Sequence, residues 1–225
     1  MFNEQNWLAE GSTPSRNIRR GRFGRNTIYF PSIKNNAQLV CESALEADYC
    51  IWLEWDSDVI AFYPQPYTFR WIDHQEKMRY TPDFYVIHLT SANHFTEIKP
   101  NFDMITKKFK LTLDSFMMHE EHQNVHLKLA DRISIQQPIR LHNLKLLYNR
   151  MHSYSKWEIS HLNEFILTHP GNLTIEECLS SQNPPTIRAL SRALFKGELS
   201  TNLREPLTLQ SVLIMRPEHE QLNRS

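Results

Sequence analysis

The chain has 225 residues, 40% of them hydrophobic and 22% charged, with 25 basic side chains balanced by 25 acidic ones. This composition is ordinary for a globular protein, and with only five glycines it excludes the fibrous and disordered classes. No apolar run approaches the roughly 20 residues that span a bilayer, and MFNEQNWLAEG has no apolar signal core, so an intracellular protein with no membrane partner is expected.

Three cysteines, Cys41, Cys50 and Cys178, show no CxxC spacing and no paired framework, as expected of a reducing compartment. The balanced net charge hides an uneven distribution. Residues 1–36 read as a basic arm: Arg16, Arg19, Arg20, Arg22, Arg25 and Lys34 stand against only Glu4 and Glu10. Such a glycine-interrupted run suits contact with a phosphate backbone, and equally reads as a solvated tail.

Residues 37–152 are expected to form an α/β domain, a mixed sheet flanked by helices. From Val40 to Trp55 the periodicity is helical, with Leu45, Tyr49, Trp52 and Leu53 on one side. VIAFYP is a strand closed by Pro64 and Pro66, and Tyr67, Phe69 and Trp71 alternate with Thr68, Arg70 and Ile72. IDHQEK is a polar hairpin connection, and Arg79 to Leu89 reads as one covered strand. HFTEIKP is the next strand. A helix over MITKKFKLTLDSFMMHEEHQ follows, exposing Lys107 and Lys108, then a short strand VHLKLA and a helix PIRLHNLKLLYNRMH.

Residues 153–225 form a separate expected unit. KWEISHLNEFILTHP, LTIEECLSS and NPPTIRALSRALFKGEL read as three helices, the second with a Thr174/Glu177 capping box and the third closed by Gly197. Two extended runs around NLREP complete the outline of a small winged-helix-like domain. In a DNA-binding version its third helix offers Arg188, Arg192 and Lys196 to a groove; the alternative is a protein-docking module.

Asp83 stands after a proline at the head of one strand run, while Glu97 and Lys99 are two apart on one face of the next. Carboxylates paired with an ammonium at adjacent strand ends match what phosphodiester hydrolysis requires: oxygen ligands for a hard divalent cation and a charged group beside the attacking water. His119 and His122 occur as HEEH rather than HExxH, and no Cys/His set has structural-zinc spacing. No phosphate-binding GK[ST] loop or nucleophile elbow is present.

Ser43-x-x-Glu46, the run LEWDSDVIAFYPQP, TPDF at 81–84, EIKP at 97–100 and LHNLKLLY at 141–148 resemble the TnsA endonuclease subunits of heteromeric cut-and-paste transposases. The resemblance implies a restriction-endonuclease-like core whose catalytic residues are Glu46, Asp83, Glu97 and Lys99. Asp83, Glu97, Glu46 and the Ile98 carbonyl would hold Mg²⁺, with Mn²⁺ as a substitute. It further implies cleavage at the 5′ ends of the transposon, in double-stranded DNA, beside a DDE-type transposase subunit and a AAA+ ATPase regulator. The expected setting is the prokaryotic cytoplasm, with association to the nucleoid when bound. The short chain resembles the compact versions in CRISPR-associated transposons. A noncatalytic DNA- and protein-binding adaptor and a stand-alone restriction or repair nuclease are the alternatives.

Overall fold

The computed structural model describes residues 2–9 and 27–215. The basic run containing Arg16, Arg19, Arg20, Arg22 and Arg25 lies outside the described residues. The chain forms two compact units, Met1–Gln136 and Gln137–Ser225. A mixed sheet flanked by helices is followed by a mostly helical region.

The first unit opens with a short helix α1 (Glu4–Ala9). It carries Trp7 into an aromatic cluster with Phe69, Trp71, Tyr80, Tyr85, Phe95 and Phe116, while Glu4 accepts a 2.7 Å hydrogen bond from the Tyr85 hydroxyl. Strands β1 (Ile28–Ser32) and β2 (Ala37–Cys41) pair antiparallel as a hairpin. Within the span read as an arm, residues 4–9 and 28–32 are therefore ordered elements. The helix expected from Val40 starts later, as α2 (Ala44–Trp55), because Ser43 caps it and AQLVC is claimed by the β1 ladder. The carboxylate of Glu54, buried on α2, accepts from Ser32 Oγ at 2.5 Å and from the Lys34 backbone N–H, which ties the hairpin turn to the helix.

Strands β3 (Val59–Pro64), β4 (Phe69–Asp73), β5 (Glu76–Tyr80), β6 (Phe84–His88) and β7 (His94–Lys99) follow. The single strand expected over Arg79 to Leu89 is divided: β5 pairs with β4 in a hairpin, and β6 joins a different sheet. The break falls at Thr81, Pro82 and Asp83, where Pro82 has no N–H to give a ladder. Beyond β7 come α3 (Lys107–Met118), β8 (Leu127–Asp131) and α4 (Arg132–Ile135). The main sheet has the order β3-β6-β7-β8, antiparallel except for the β7–β8 pair, which α3 connects as a crossover.

The second unit begins with α5 (Pro138–Arg150), which the sequence reading had placed before the boundary at 152. Its apolar stripe explains the difference, since Leu144, Leu147 and Tyr148 are buried and the Tyr148 ring lies 5.2 Å from that of Phe195. Next are α6 (Lys156–Thr168), β9 (Gly171–Thr174), α7 (Ile175–Leu179) and α8 (Ile187–Lys196). The capping box of Thr174 and Glu177 is present, and Gly197 closes α8 with φ 75°, a left-handed conformation that suits glycine. Strands β10 (Leu199–Ser200) and β11 (Val212–Met215) complete a three-stranded sheet of order β10-β11-β9. Strand β9 was hidden in the sequence because four residues carry too little alternation. The connection after β10 is longer than a hairpin turn, and buried Asn143 pins it by donating to the Leu203 and Glu205 carbonyls and accepting from Leu207 N.

Candidate active site

The site is assembled at the point where β6 begins and β7 ends. Phe84 pairs with Thr96, so the antiparallel register carried one step further sets Asp83 across from Glu97. Lys99, two residues on, shares the Glu97 face by strand alternation. Gln65 stands at the end of β3 with φ 48°, and its N–H donates to the Asp83 carbonyl at 2.8 Å. A buried non-glycine residue held in that region is strained, and here the strain anchors the backbone of Asp83.

Helix α2 brings the fourth group. Its Tyr49 hydroxyl hydrogen-bonds Thr96 Oγ1 at 3.2 Å and its ring packs 5.6 Å from that of Phe84, so the helix is seated on the row of residues next to Asp83 and Glu97. Glu46, one turn earlier, is buried and accepts hydrogen bonds from Ser43 Oγ at 2.9 Å and Glu42 N at 2.8 Å. This is the geometry of a helix cap. Capping alone does not explain its electrostatics: burial, then the Asp83 charge, push its pKa up to about 7.

Around Asp83 the contacts are close. Asp83 Oδ2 accepts from Ile98 N at 2.7 Å and lies 3.8 Å from Lys99 Nζ. Lys99 Nζ also donates to Glu97 Oε1 and, at 3.0 Å, to the Ile98 carbonyl, and it rests 4.8 Å above the Phe109 ring. The Tyr80 hydroxyl donates to the other Glu97 oxygen at 2.7 Å. Burial, then the Asp83 charge, raise the Glu97 pKa to about 7, although Lys99 and Tyr80 oppose that rise. Burial pulls the Lys99 pKa down, but the facing Asp83 and Glu97 charges outweigh it and leave the ammonium above the usual lysine range.

These donors fit a hard divalent cation. The carboxylates of Glu46, Asp83 and Glu97 and the Ile98 carbonyl are all oxygen ligands. When ionised, the three carboxylates exceed the single Lys99 ammonium by two negative charges. The ammonium already sits on Glu97 Oε1 and the Ile98 carbonyl, which shows that this point of the fold attracts a cation.

A second group lies at the far end of α3. One ligand atom each from His119, Glu121 and His122 lies within 4.8 Å of the others, a set able to hold a divalent metal. The HEEH spacing had argued against it, but a 3-10 turn over Glu120–His122 folds the two imidazoles together. Burial lowers the pKa of His122, and its Nδ1 donates to the Phe116 carbonyl at 3.1 Å, which fixes the ring. Imidazole ligands suit zinc-like ions better than Mg²⁺, and this group lies at the C-terminal end of α3, whereas Phe109, under the Lys99 ammonium, lies in its first turn.

The remaining sequence-derived residues are dispersed. Lys107 and Lys108 are exposed at the start of α3. Arg188 donates to Glu158 Oε1 through Nε at 3.1 Å and Nη2 at 3.0 Å, and Arg192 Nη1 donates to Glu198 Oε2 at 2.5 Å, so both arginines expected to face a groove are held by carboxylates of their own unit. Lys196 is exposed at the end of α8. Sequence reasoning missed Tyr80 and Gln65; the only sign of them was their closeness to TPDF and YPQP.

A mixed sheet flanked by helices is broadly consistent with a nuclease-like α/β fold, and comparison agrees in class. The family model described as TnsA-like endonuclease N terminal matches residues 56–130. A TnsA-like endonuclease domain is thus found over part of the chain, taking in Asp83, Glu97 and Lys99 and leaving Glu46 outside. No curated protein matches the chain. Among the described residues no helix is long and apolar enough to cross a membrane.

Proposed function

We propose that this chain is a Mg²⁺-dependent DNA endonuclease with a restriction-endonuclease-like catalytic unit. It acts as the strand-cleaving subunit of a heteromeric transposase, cutting double-stranded DNA at the 5′ ends of a transposon beside a DDE-type transposase and a AAA+ ATPase regulator. The observation that carries the nuclease reading is the meeting of Asp83, Glu97 and Lys99 from two neighbouring strands, with Glu46 close enough for Asp83 to raise its pKa. The order α6-β9-α7-α8-β10-β11 with its three-stranded sheet supports a winged-helix-like second unit.

Asp83, Glu97, Glu46 and the Ile98 carbonyl would hold the metal, which when bound would polarise the phosphate and acidify an attacking water. Lys99 acts as a fixed positive donor rather than a base, because its neighbours keep it protonated. Its ammonium stabilises negative charge developing on the phosphate oxygens. Tyr80 orients Glu97 through Oε2 and leaves Oε1 facing Lys99. Of the three carboxylates, Glu97 is hydrogen-bonded and Asp83 ion-paired to Lys99, whereas Glu46, with a pKa of about 7, is the one suited to accept a proton near neutral pH.

The test is nicking of end-containing DNA in Mg²⁺, with and without the partner subunits, by the full chain and by Asp83→Asn. Asparagine can still accept from Ile98 N, so the fold is kept while the charge is lost. Cleavage unchanged in Asp83→Asn would sink the assignment. A stand-alone nuclease would cut without partners, and an adaptor would bind DNA without cutting in any combination.

A further inference from the structure

The β4–β5 hairpin places two arginines directly opposite one another. Arg70 and Arg79 are register partners, both exposed, while their neighbours Phe69, Trp71 and Tyr80 turn inward to the aromatic cluster. Like charges facing across an antiparallel pair are destabilising, and among the described residues no carboxylate forms an ion pair with either. The hairpin therefore sets like charge opposite like charge with no paired acid among the described residues.

A cavity of about 500 Å³ lies on this face. Its charged lining is Arg70, Arg79 and Lys108, with no acidic residue, and the rest of its wall is polar hydroxyls and the Tyr80 and Phe109 rings. Lys108 comes from the first turn of α3, whose N-cap, Thr106, also lines the cavity, so the helix dipole adds to the positive potential there. The cavity adjoins the catalytic cluster through shared side chains. Tyr80 forms its wall and holds Glu97, Phe109 forms its wall and carries the Lys99 ammonium, and Thr81 lies two residues before Asp83.

We propose that this cavity binds the sugar-phosphate backbone of the DNA strand being cut, with Arg70, Arg79 and Lys108 contacting phosphates that flank the scissile one. The inference rests on the nuclease reading of the adjoining site and adds to it the path of the substrate. A phosphate lying between the opposed guanidiniums converts their repulsion into two charge-assisted contacts. An acid-free cation set beside hydroxyl groups recognises backbone rather than base edges, so its contribution is independent of sequence.

The test is binding of a fluorescein-labelled DNA duplex to the full chain, by anisotropy without Mg²⁺ across a salt series. Three variants are compared with the unaltered chain: Arg70→Ala/Arg79→Ala, Arg70→Lys/Arg79→Lys and Asp83→Asn. Loss of two phosphate contacts should lower the slope of log affinity against log salt by about 1.8, at roughly 0.9 per contact. The double alanine variant should bind at least about tenfold more weakly at low salt, the double lysine variant should keep the slope, and the melting temperature of the alanine variant should be no lower than that of the unaltered chain. An unchanged slope and affinity in the double alanine variant would overturn the proposal, as would an equal loss in the double lysine variant. Cleavage retained by Asp83→Asn would instead overturn the nuclease reading, and leave the binding result to stand or fall by itself.

Discussion

The Tyr80 hydroxyl donates a 2.7 Å hydrogen bond to Glu97 Oε2 inside a buried pair. The bond stabilises the ionised carboxylate against burial and the Asp83 charge, which together hold its pKa at about 7. Tyr80→Phe removes that donor. The Glu97 pKa should rise further, and the acidic limb of the cleavage pH profile should move to higher pH. At neutral pH the rate should fall about tenfold, the equivalent of one hydrogen bond to a charged group, and the deficit should narrow as pH rises. A rate–pH series on Tyr80→Phe checks this, and an unshifted profile refutes it.

Lys99 touches the same oxygens that suit the metal. Lys99→Met should therefore separate binding from chemistry. Mg²⁺ affinity, read by calorimetry, should be unchanged or higher, since an ammonium on Glu97 Oε1 and the Ile98 carbonyl no longer competes. Cleavage should drop by a factor of about 100 or more, the range for loss of one fixed charge stabiliser. Weaker Mg²⁺ binding together with retained cleavage would contradict the role given to Lys99.

Glu46 makes the metal-free protein sensitive to base. Its folded pKa of about 7 lies above the ordinary 4.5, so its carboxylate form is disfavoured by folding. No penalty applies below pH 4.5; it grows as pH rises toward 7 and is fully present above. At 1.36 kcal/mol per unit it is on the order of 3 kcal/mol. Glu46→Gln should raise the melting temperature of the metal-free protein at pH 8 and hardly change it at pH 5. Saturating Mg²⁺ should shrink the difference at the alkaline end. Thermal melts at the two pH values, with and without Mg²⁺, read out all three expectations.

In the second unit the sign is reversed. The Glu158 carboxylate is held at about 2 by the Thr186 hydroxyl, then the Ser155 backbone N–H, with Arg188 adding to them. Its stabilising contribution is present above the ordinary glutamate range and is lost as pH falls toward 2. Glu158→Gln should melt at lower temperature than the unaltered chain at neutral pH, and the two curves should converge at the acid end. The same substitution frees Arg188, so any gain in duplex binding it produces would indicate that Glu158 masks this arginine.

Much of the local structure was legible because it depends on near neighbours. Thr174 with Glu177 is a cap readable from spacing alone, and HFTEIK is the strand its sequence suggests. The start of α2 and the break at Pro82 were less legible, since partner strands settle them: AQLVC is taken by β1, and β5 and β6 enter different sheets.

By itself the sequence determined the chemical types of the site, with Asp83, Glu97 and Lys99 in order and two of them on one strand face. Only the tertiary structure decided that β3, β6 and β7 meet so that Asp83 faces Glu97, that Tyr80 reaches in from a separate hairpin, and that Arg188 and Arg192 are held by carboxylates. The physical reason is that residue spacing reports faces and caps, which are local. Burial, charge coupling and the matching of a donor to an acceptor depend on which distant segments the fold brings within a few ångströms.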